Sequence, residues 1–172
     1  HAATCASRVY NYAIKMEHTH QNPWSKIERY STPQRKVVWR HEDVIKFLDT
    51  AYSDYEYRSI GLIVQMAYEW CQRLGDMRTL QWSNLDLQGR VLKLEQSKRR
   101  ADIELPISPE LTAMLTEQSV QFGFQSYVAP HPRPVMGEYQ PYAMERLSKV
   151  GRRVMRLAKL PEELRLMDLR RT

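Results

Sequence analysis

Cysteine is scarce in this chain: Cys5 and Cys71 are the only two among 172 residues, and neither stands in a paired motif. That argues against a fold built on disulfides and offers no thiolate set for zinc. Long apolar runs are missing too. The longest, near residues 60–68, is broken by Gly61 and Gln65 and is too short to span a bilayer. There is no internal repeat, no low-complexity tract and no visible signal peptide. His1 is not a natural start, so the true N-terminus is expected to lie elsewhere, and an intracellular compartment is the default expectation.

What is present in excess is positive charge. The chain has 26 Lys+Arg against 20 Asp+Glu, a net charge of +6, within an otherwise ordinary composition of 42% hydrophobic and 27% charged residues. A basic balance suits a polyanion such as nucleic acid, although many basic proteins bind none. The length allows one sizeable core, or one domain plus a piece of another.

Helical spacing of Val9, Tyr12, Ala13 and Met16 predicts a helix over residues 3–17, stopped before "QNPW" because Pro23 forces Asn22 out of helix. "YSTPQRK" (30–36) is polar, basic and proline-broken, and reads as a linker. A second start follows. "HEDVIKFLDTAY" (41–52) sets Val44, Phe47, Leu48 and Ala51 on one face, and "SIGLIVQMAYEWCQ" (59–72) is apolar almost all round, as a central core helix should be. A short helix near 75–81 and a turn "SNLD" (83–86) lead to two strands, 90–96 and 102–107, joined as a hairpin by the charged tip "SKRRA". Ser108 as N-cap and Pro109 at the first helical position open a helix over 108–118. A proline-rich loop (129–141) precedes a last helix at 142–159, with Ala143, Leu147, Val150, Val154 and Leu157 expected to face the core.

The opposite side of that last helix carries Arg146, Lys149, Arg152, Arg153, Arg156 and Lys159. From Tyr142 onward nine Lys/Arg stand against four acids, so much of the surplus charge sits in the final 31 residues. Such a face is either simply solvated or aimed at an anionic partner. Arg73 poses a similar choice. It follows the most apolar helix, where a guanidinium is costly to bury without a partner or a ligand, and Asp76, three residues on, can hold it. The histidines suggest no metal site: His18 and His20 lack further ligands, and His131 in "PHPRP" is expected to be exposed.

Taken in order, these pieces resemble the tyrosine recombinase family of phage integrases. "CQRLGDMRTLQWSNLD" (71–86) fits the family's first arginine motif at Arg73, Asp76, Leu80, Trp82 and Asp86. "EQSKRR" followed by "ELPIS" fits the hairpin lysine at Lys98, "MDLRRT" fits the second arginine motif at Leu169, Arg170 and Thr172, and "NPW" resembles the junction ahead of the catalytic domain. The resemblance implies a mainly α fold with a small antiparallel β-sheet, the tyrosine-recombinase (DNA breaking-rejoining) catalytic-domain fold. It implies residues 1–34 as the C-terminal end of a core-binding domain plus linker, and residues 35–172 as a catalytic domain whose C-terminal part is missing. The implied activity is site-specific recombination without metal or other cofactor, through a 3′-phosphotyrosyl link. Arg73 and Arg170 would clamp the phosphate, with Asp76 in support, and Lys98 would protonate the departing oxygen. A plain solvated turn lysine is the other reading of Lys98, and Lys93, Arg99 or Arg100 takes the role if the register differs. Arg99, Arg100, Arg152, Arg153 and Arg171 would touch DNA.

Two departures stand out. Met167 occupies the family's usual histidine position and can neither move a proton nor bind phosphate as a cation. The nucleophilic tyrosine lies downstream of this motif in the family, whereas all ten tyrosines here precede Arg170. Tyr139 and Tyr142 are expected to pack rather than to attack, and residues 1–172 alone are expected to be inactive. The expected partners are a double-stranded DNA attachment site and, in the full-length parent, a homo-tetramer on DNA, with no membrane and a cytoplasmic, nucleoid-associated location in a bacterial or phage-infected cell. Two alternatives stand beside this: a non-catalytic DNA-binding module derived from a recombinase, and a basic helical scaffold with no nucleic-acid partner. The recombinase reading carries a geometric expectation. Leu166 and Leu169 should pack into the core, turning Arg170 toward Arg73 so that both open onto one anion site, with Arg171 facing outward.

Overall fold

The computed structural model describes residues 2–27, 36–96 and 101–171, with side chains up to Leu169. The chain divides between Lys36 and Val37 into two compact units. In the first, helix α1 (Ala2–Lys15) ends where Glu17 turns into the left-handed region at φ 60° and His18 N–H reaches back to the Ala13 carbonyl. Asn22 closes this unit. Its Nδ2 donates to Asn11 Oδ1 (2.7 Å) and to the Ser7 carbonyl (3.1 Å), while its Oδ1 accepts from Trp24 N–H (2.9 Å). The apolar positions Val9, Tyr12 and Met16 are exposed.

The second unit is mainly helical, with one small antiparallel sheet. Helices α2 (His41–Tyr52) and α3 (Tyr55–Glu69) pack together, and every α3 residue from Ser59 to Ala67 is buried. Close approach of the pair depends on Gly61, where a Cβ would sit 3.0 Å from Ala51 Cβ and from the Tyr52 ring. The α2 stripe is met at Val44, Phe47 and Ala51, with Leu48 partly buried. α3 starts earlier than its apolar run because Asp54 caps it, accepting from Glu56 N–H at 2.9 Å.

A one-turn helix α4 (Leu74–Met77) leads into a sheet ordered β1 (Leu85–Asp86), β2 (Val91–Glu95), β3 (Asp102–Pro106). The hairpin register pairs Leu92 with Leu105 and Lys93 with Glu104. "SNLD" is thus more than a turn: Trp82–Asn84 form a 3-10 turn and Leu85–Asp86 add a third strand. A strand of two residues leaves too short a pattern to read. Helix α5 (Pro109–Phe122) is capped by Ser108 as expected, but runs one turn past 118 because Phe122 and Gln118 are also buried.

The last long helix, α6 (Met144–Leu157), packs on α2 and α3. Its buried stripe is Leu147, Gly151, Val154 and Met155; Leu157 is 55% exposed and Ala143 is exposed, against expectation. The stripe is rotated because Gly151 admits Leu166. A Cβ on Gly151 would lie 2.3 Å from Leu166 Cδ1, so glycine lets the two segments touch there without Leu166 giving way. Among the described residues no helix is long and apolar enough to cross a membrane.

Candidate functional site

The site is built where α3 ends. Because α3 is anchored along its length, the chain leaves the core at a fixed point. Cys71 turns it in the left-handed region (φ 51°), Gln72 is buried, and Arg73 becomes the extended residue that starts α4. The Arg73 carbonyl accepts from the N–H groups of Asp76 (3.0 Å) and Met77 (3.1 Å). Its guanidinium Nη1 lies 3.5 Å from Asp76 Oδ2, with the Asp76 side chain buried and that of Arg73 24% exposed. That distance makes an ion pair rather than a hydrogen bond. Nη1 itself is shut from solvent with no hydrogen-bond partner among the described residues. Nη1 is thus held against Asp76 by charge, and the part of the side chain that remains exposed is what an anion can reach. The geometry suits a cation kept in place for a ligand.

Residues Leu166–Arg171 form a 3-10 segment packed on α3. Leu166 and Leu169 join the same core as α3, as expected, while Met167 between them is 67% exposed and Asp168 is 1% exposed. Trp39 holds the entrance to this segment: its indole Nε1 donates to the Arg165 carbonyl at 2.9 Å across 126 residues of sequence. The side chains of Arg170 and Arg171 lie outside the described residues, as do Lys98, Arg99 and Arg100. The expected meeting of two guanidinium groups therefore lies outside them too. The segments that carry them do converge. Leu74, next to Arg73, and Met167, three residues before Arg170, line one cleft of about 240 Å³ together with Met155, Arg152 and Arg165.

Arg152 and Arg153 are neighbours on α6 and so point about 100° apart. Arg152 borders that cleft. Arg153 instead lies over the Tyr57 ring at 5.8 Å and borders a smaller hollow of about 130 Å³ with Arg133, Arg146 and Tyr142, where Arg133 is ion-paired to Glu56. The basic side chains from Arg146 to Lys159 are exposed, as the helical spacing predicts. Lys93 is committed to a cross-strand ion pair with Glu104 at 3.4 Å.

Three of the tyrosines are poorly disposed to attack. Tyr142 is buried, its hydroxyl donates to the Glu56 carbonyl at 3.3 Å, and burial pushes its pKa up to about 12. Tyr139 packs edge-on against Phe122 and Phe124, as expected of a packing residue. Tyr52 donates to Gln65 Oε1 at 2.6 Å, and burial raises its pKa well above the usual phenol value. No group of three or more His, Cys, Asp or Glu is placed to hold a metal among the described residues.

Two contacts here have no signal in the sequence. Arg78 donates through Nη1 to the Tyr142 carbonyl at 2.7 Å, tying α4 to the start of α6. Gln72 and Gln96, 24 residues apart, join the α3–α4 turn to the hairpin. Arg78, Gln72 and Gln96 are not among the matched positions of the motifs, so only the folded chain reveals the pairings.

A family model described as the phage integrase family matches residues 38–172. Among solved structures the chain is similar to a lambda integrase tetramer bound to a Holliday junction, with a TM-score of 0.77 and 19% identity over 98% of this chain and 48% of that one. It is similar to the lambda integrase catalytic core, with a TM-score of 0.61 and 18% identity over 78% of each chain. It is also similar to the Tn1549 transposon integrase in complex with circular intermediate DNA, with a TM-score of 0.69 and 13% identity over 95% of this chain and 60% of that one. The chain spans about half the length of the longer lambda integrase chains it matches, 48%. No curated protein matches it in sequence.

Proposed function

Because this chain belongs to the phage integrase family, we propose that it supplies most of the catalytic domain of a site-specific DNA recombinase. The reaction is metal-free phosphoryl transfer. A tyrosine hydroxyl attacks a DNA phosphodiester, a 3′-phosphotyrosyl bond forms, and the bond to the 5′-oxygen breaks. None of the ten tyrosines of this chain takes that role in our reading; the nucleophile comes from outside residues 1–172. The reverse attack by a 5′-hydroxyl on a new partner strand rejoins the DNA.

Charge on the non-bridging oxygens of the transition state calls for fixed cations. Arg73 and Arg170 serve as the clamp, since planar guanidinium groups match two oxygens at once. Asp76 holds Nη1 and so keeps Arg73 oriented, leaving the exposed remainder of the guanidinium for the phosphate. Lys98 gives its proton to the departing 5′-oxygen, which neighbouring cations favour by making the ammonium easier to deprotonate. The face of α6 with Arg152 and Arg153, and the arginines Arg99, Arg100 and Arg171, hold the duplex. With Met167 in the place of a histidine, Arg152 and Arg165 are the cations that border its cleft and supply charge there. The intact protein works on double-stranded attachment sites as a homo-tetramer, residues 1–34 belonging to a core-binding domain and its linker.

The observation that carries this reading is the convergence of the Arg73 and Arg170 segments on α3, beside a basic helix face. The test is duplex binding by residues 1–172 across a salt titration. Phosphate contacts by several Lys and Arg predict an affinity that falls steeply, with a log–log slope on the order of −0.9 per contact. A flat response would leave the chain a basic scaffold. Binding with no cleavage by the intact protein would favour a non-catalytic DNA-binding module.

A further inference from the structure

Gln72 stands one residue before Arg73, at the buried turn between α3 and α4. Its amide is fixed at both ends. Nε2 donates to the Trp70 carbonyl at 2.8 Å in a fully buried bond, which leaves Oε1 facing the other way, and there it accepts from Gln96 Nε2 at 2.7 Å. Gln96 directly follows the β2 strand, and its own backbone N–H closes the hairpin on the Ala101 carbonyl at 2.9 Å. The opposite end of the hairpin is tied to the same turn, because Trp70 Nε1 donates to the Pro106 carbonyl at 3.1 Å. Pro106 pairs with Val91 at the open end, five residues from Gln96 along β2, a span of about 17 Å. The hairpin is thus pinned at its base by Trp70 and near its tip by Gln72, and both anchors lie within three residues of Arg73.

A buried amide needs partners, and satisfying Gln72 is one use of this bond. A β-hairpin, however, already has its ladder to hold the strands, and the ladder fixes nothing about how the hairpin lies against α3. Buried Leu92 and the Trp70 bond set that toward the base, and the Gln72–Gln96 bond sets it near the tip. It couples the backbone that carries the first phosphate-clamping arginine to the strand end two residues before Lys98. We infer that Gln72 and Gln96 are positioning residues for the leaving-group step, setting the hairpin's proton donor against the phosphate that Arg73 holds. The inference rests on the reading of Lys98 as general acid given above. The step itself is balanced: as the phosphorus–5′-oxygen bond breaks, a proton passes from the lysine ammonium to that oxygen, leaving a neutral amine.

The consequence is chemically selective. A misplaced acid slows departure of a poor leaving group such as an alkoxide, and hardly affects a good one that leaves unprotonated. The experiment compares strand cleavage by the intact protein on a suicide duplex carrying either the normal 5′-oxygen or a bridging 5′-sulfur at the scissile phosphate. Three variants are used, Gln96→Ala, Gln72→Ala and Lys98→Ala. Gln96 is only partly buried whereas Gln72 is buried, so of the two glutamine variants Gln96→Ala is the one less exposed to folding effects. The expected result is that Gln96→Ala cleaves the oxygen substrate about tenfold to a hundredfold more slowly, a part of the 10²–10⁴ general acids contribute, and cleaves the sulfur substrate at the unmodified rate. Lys98→Ala should show the same pattern more strongly. Equal slowing of Gln96→Ala on both substrates, or no slowing on either, overturns the inference while leaving Lys98 as the acid. If sulfur fails to rescue Lys98→Ala itself, the reading of Lys98 falls first and the positioning role falls with it.

Discussion

Replacing Gly151 by alanine perturbs the segment that carries Arg170 without touching a polar group. The added Cβ would lie 2.3 Å from Leu166 Cδ1 and 3.3 Å from Leu166 Cγ. Carbon atoms rest at about 3.5–4.0 Å, so the leucine methyl must withdraw by more than an ångström. Two stability effects oppose each other. Alanine in a helix interior is favoured over glycine by about 1 kcal/mol, while overpacking a core costs about 1–3 kcal/mol. Leu166 borders the cleft of about 240 Å³ and has room to yield, which puts the cost toward the low end. The net loss should be roughly 0–2 kcal/mol, a fall in Tm of at most about 8 °C for a domain of this size. The functional effect should be larger, because Leu166 opens the six-residue segment ending at Arg171, and a misplacement of about 1 Å at a reacting phosphate can cost 10²-fold. Adduct formation on a suicide duplex, measured beside thermal unfolding, should therefore fall by tenfold or more while the fold persists. Adding Leu166→Ala should remove the clash, so that the double variant is less unstable than the two single losses added together. A Gly151→Ala protein with raised Tm and undiminished adduct formation would refute the reasoning, since it would mean that the α6 contact does not set the position of this segment.

Other outcomes follow from the same structure. Tyr142 has a folded pKa raised from 10 to about 12, so the folded state keeps a proton that the unfolded state gives up first; its contribution to stability should be constant below pH 10 and be lost between pH 10 and 12, and Tyr142→Phe should flatten that fall in denaturant titrations. Met167→His places an imidazole on an exposed position, so stability should shift by no more than the ~0.5 kcal/mol typical of surface changes, while cleavage rises several-fold near neutral pH. Unchanged cleavage would mean that another group already does this work.

The parts legible in the sequence are those with a local cause. α2 begins and ends where expected because Val44, Phe47 and Ala51 repeat at helical spacing, and α5 starts at Pro109 because Ser108 can cap it. The hairpin is legible through alternation, with Leu92 buried between half-buried Val91 and exposed Lys93. The orientation of α6 was not legible, because one of its core positions is Gly151, which carries no apolar signal and matters only for what it lets Leu166 do. Contacts such as Trp39 with Arg165 and Gln72 with Gln96 join distant stretches through single hydrogen bonds that leave no periodic trace. At the candidate site, the expectations for Arg73, Lys98 and Arg170 rest on the spacing and order of sequence motifs. The partial burial of Arg73 and the cleft shared by Leu74 and Met167 needed the fold.

The central claim is that Arg73 is held by the core yet aimed at a phosphate, and one comparison tests it most directly. Arg73→Ala in the intact protein should lose at least 10² in the rate of covalent protein–DNA adduct formation on a suicide duplex, as expected when a fixed charge facing a transition state is removed. Its Tm should stay within a few degrees of the unmodified protein, because the side chain is 24% exposed and its ion pair with Asp76 spans 3.5 Å. An adduct formed at the original rate, or a protein that unfolds outright and binds no DNA, would show instead that Arg73 and Asp76 are a structural pair.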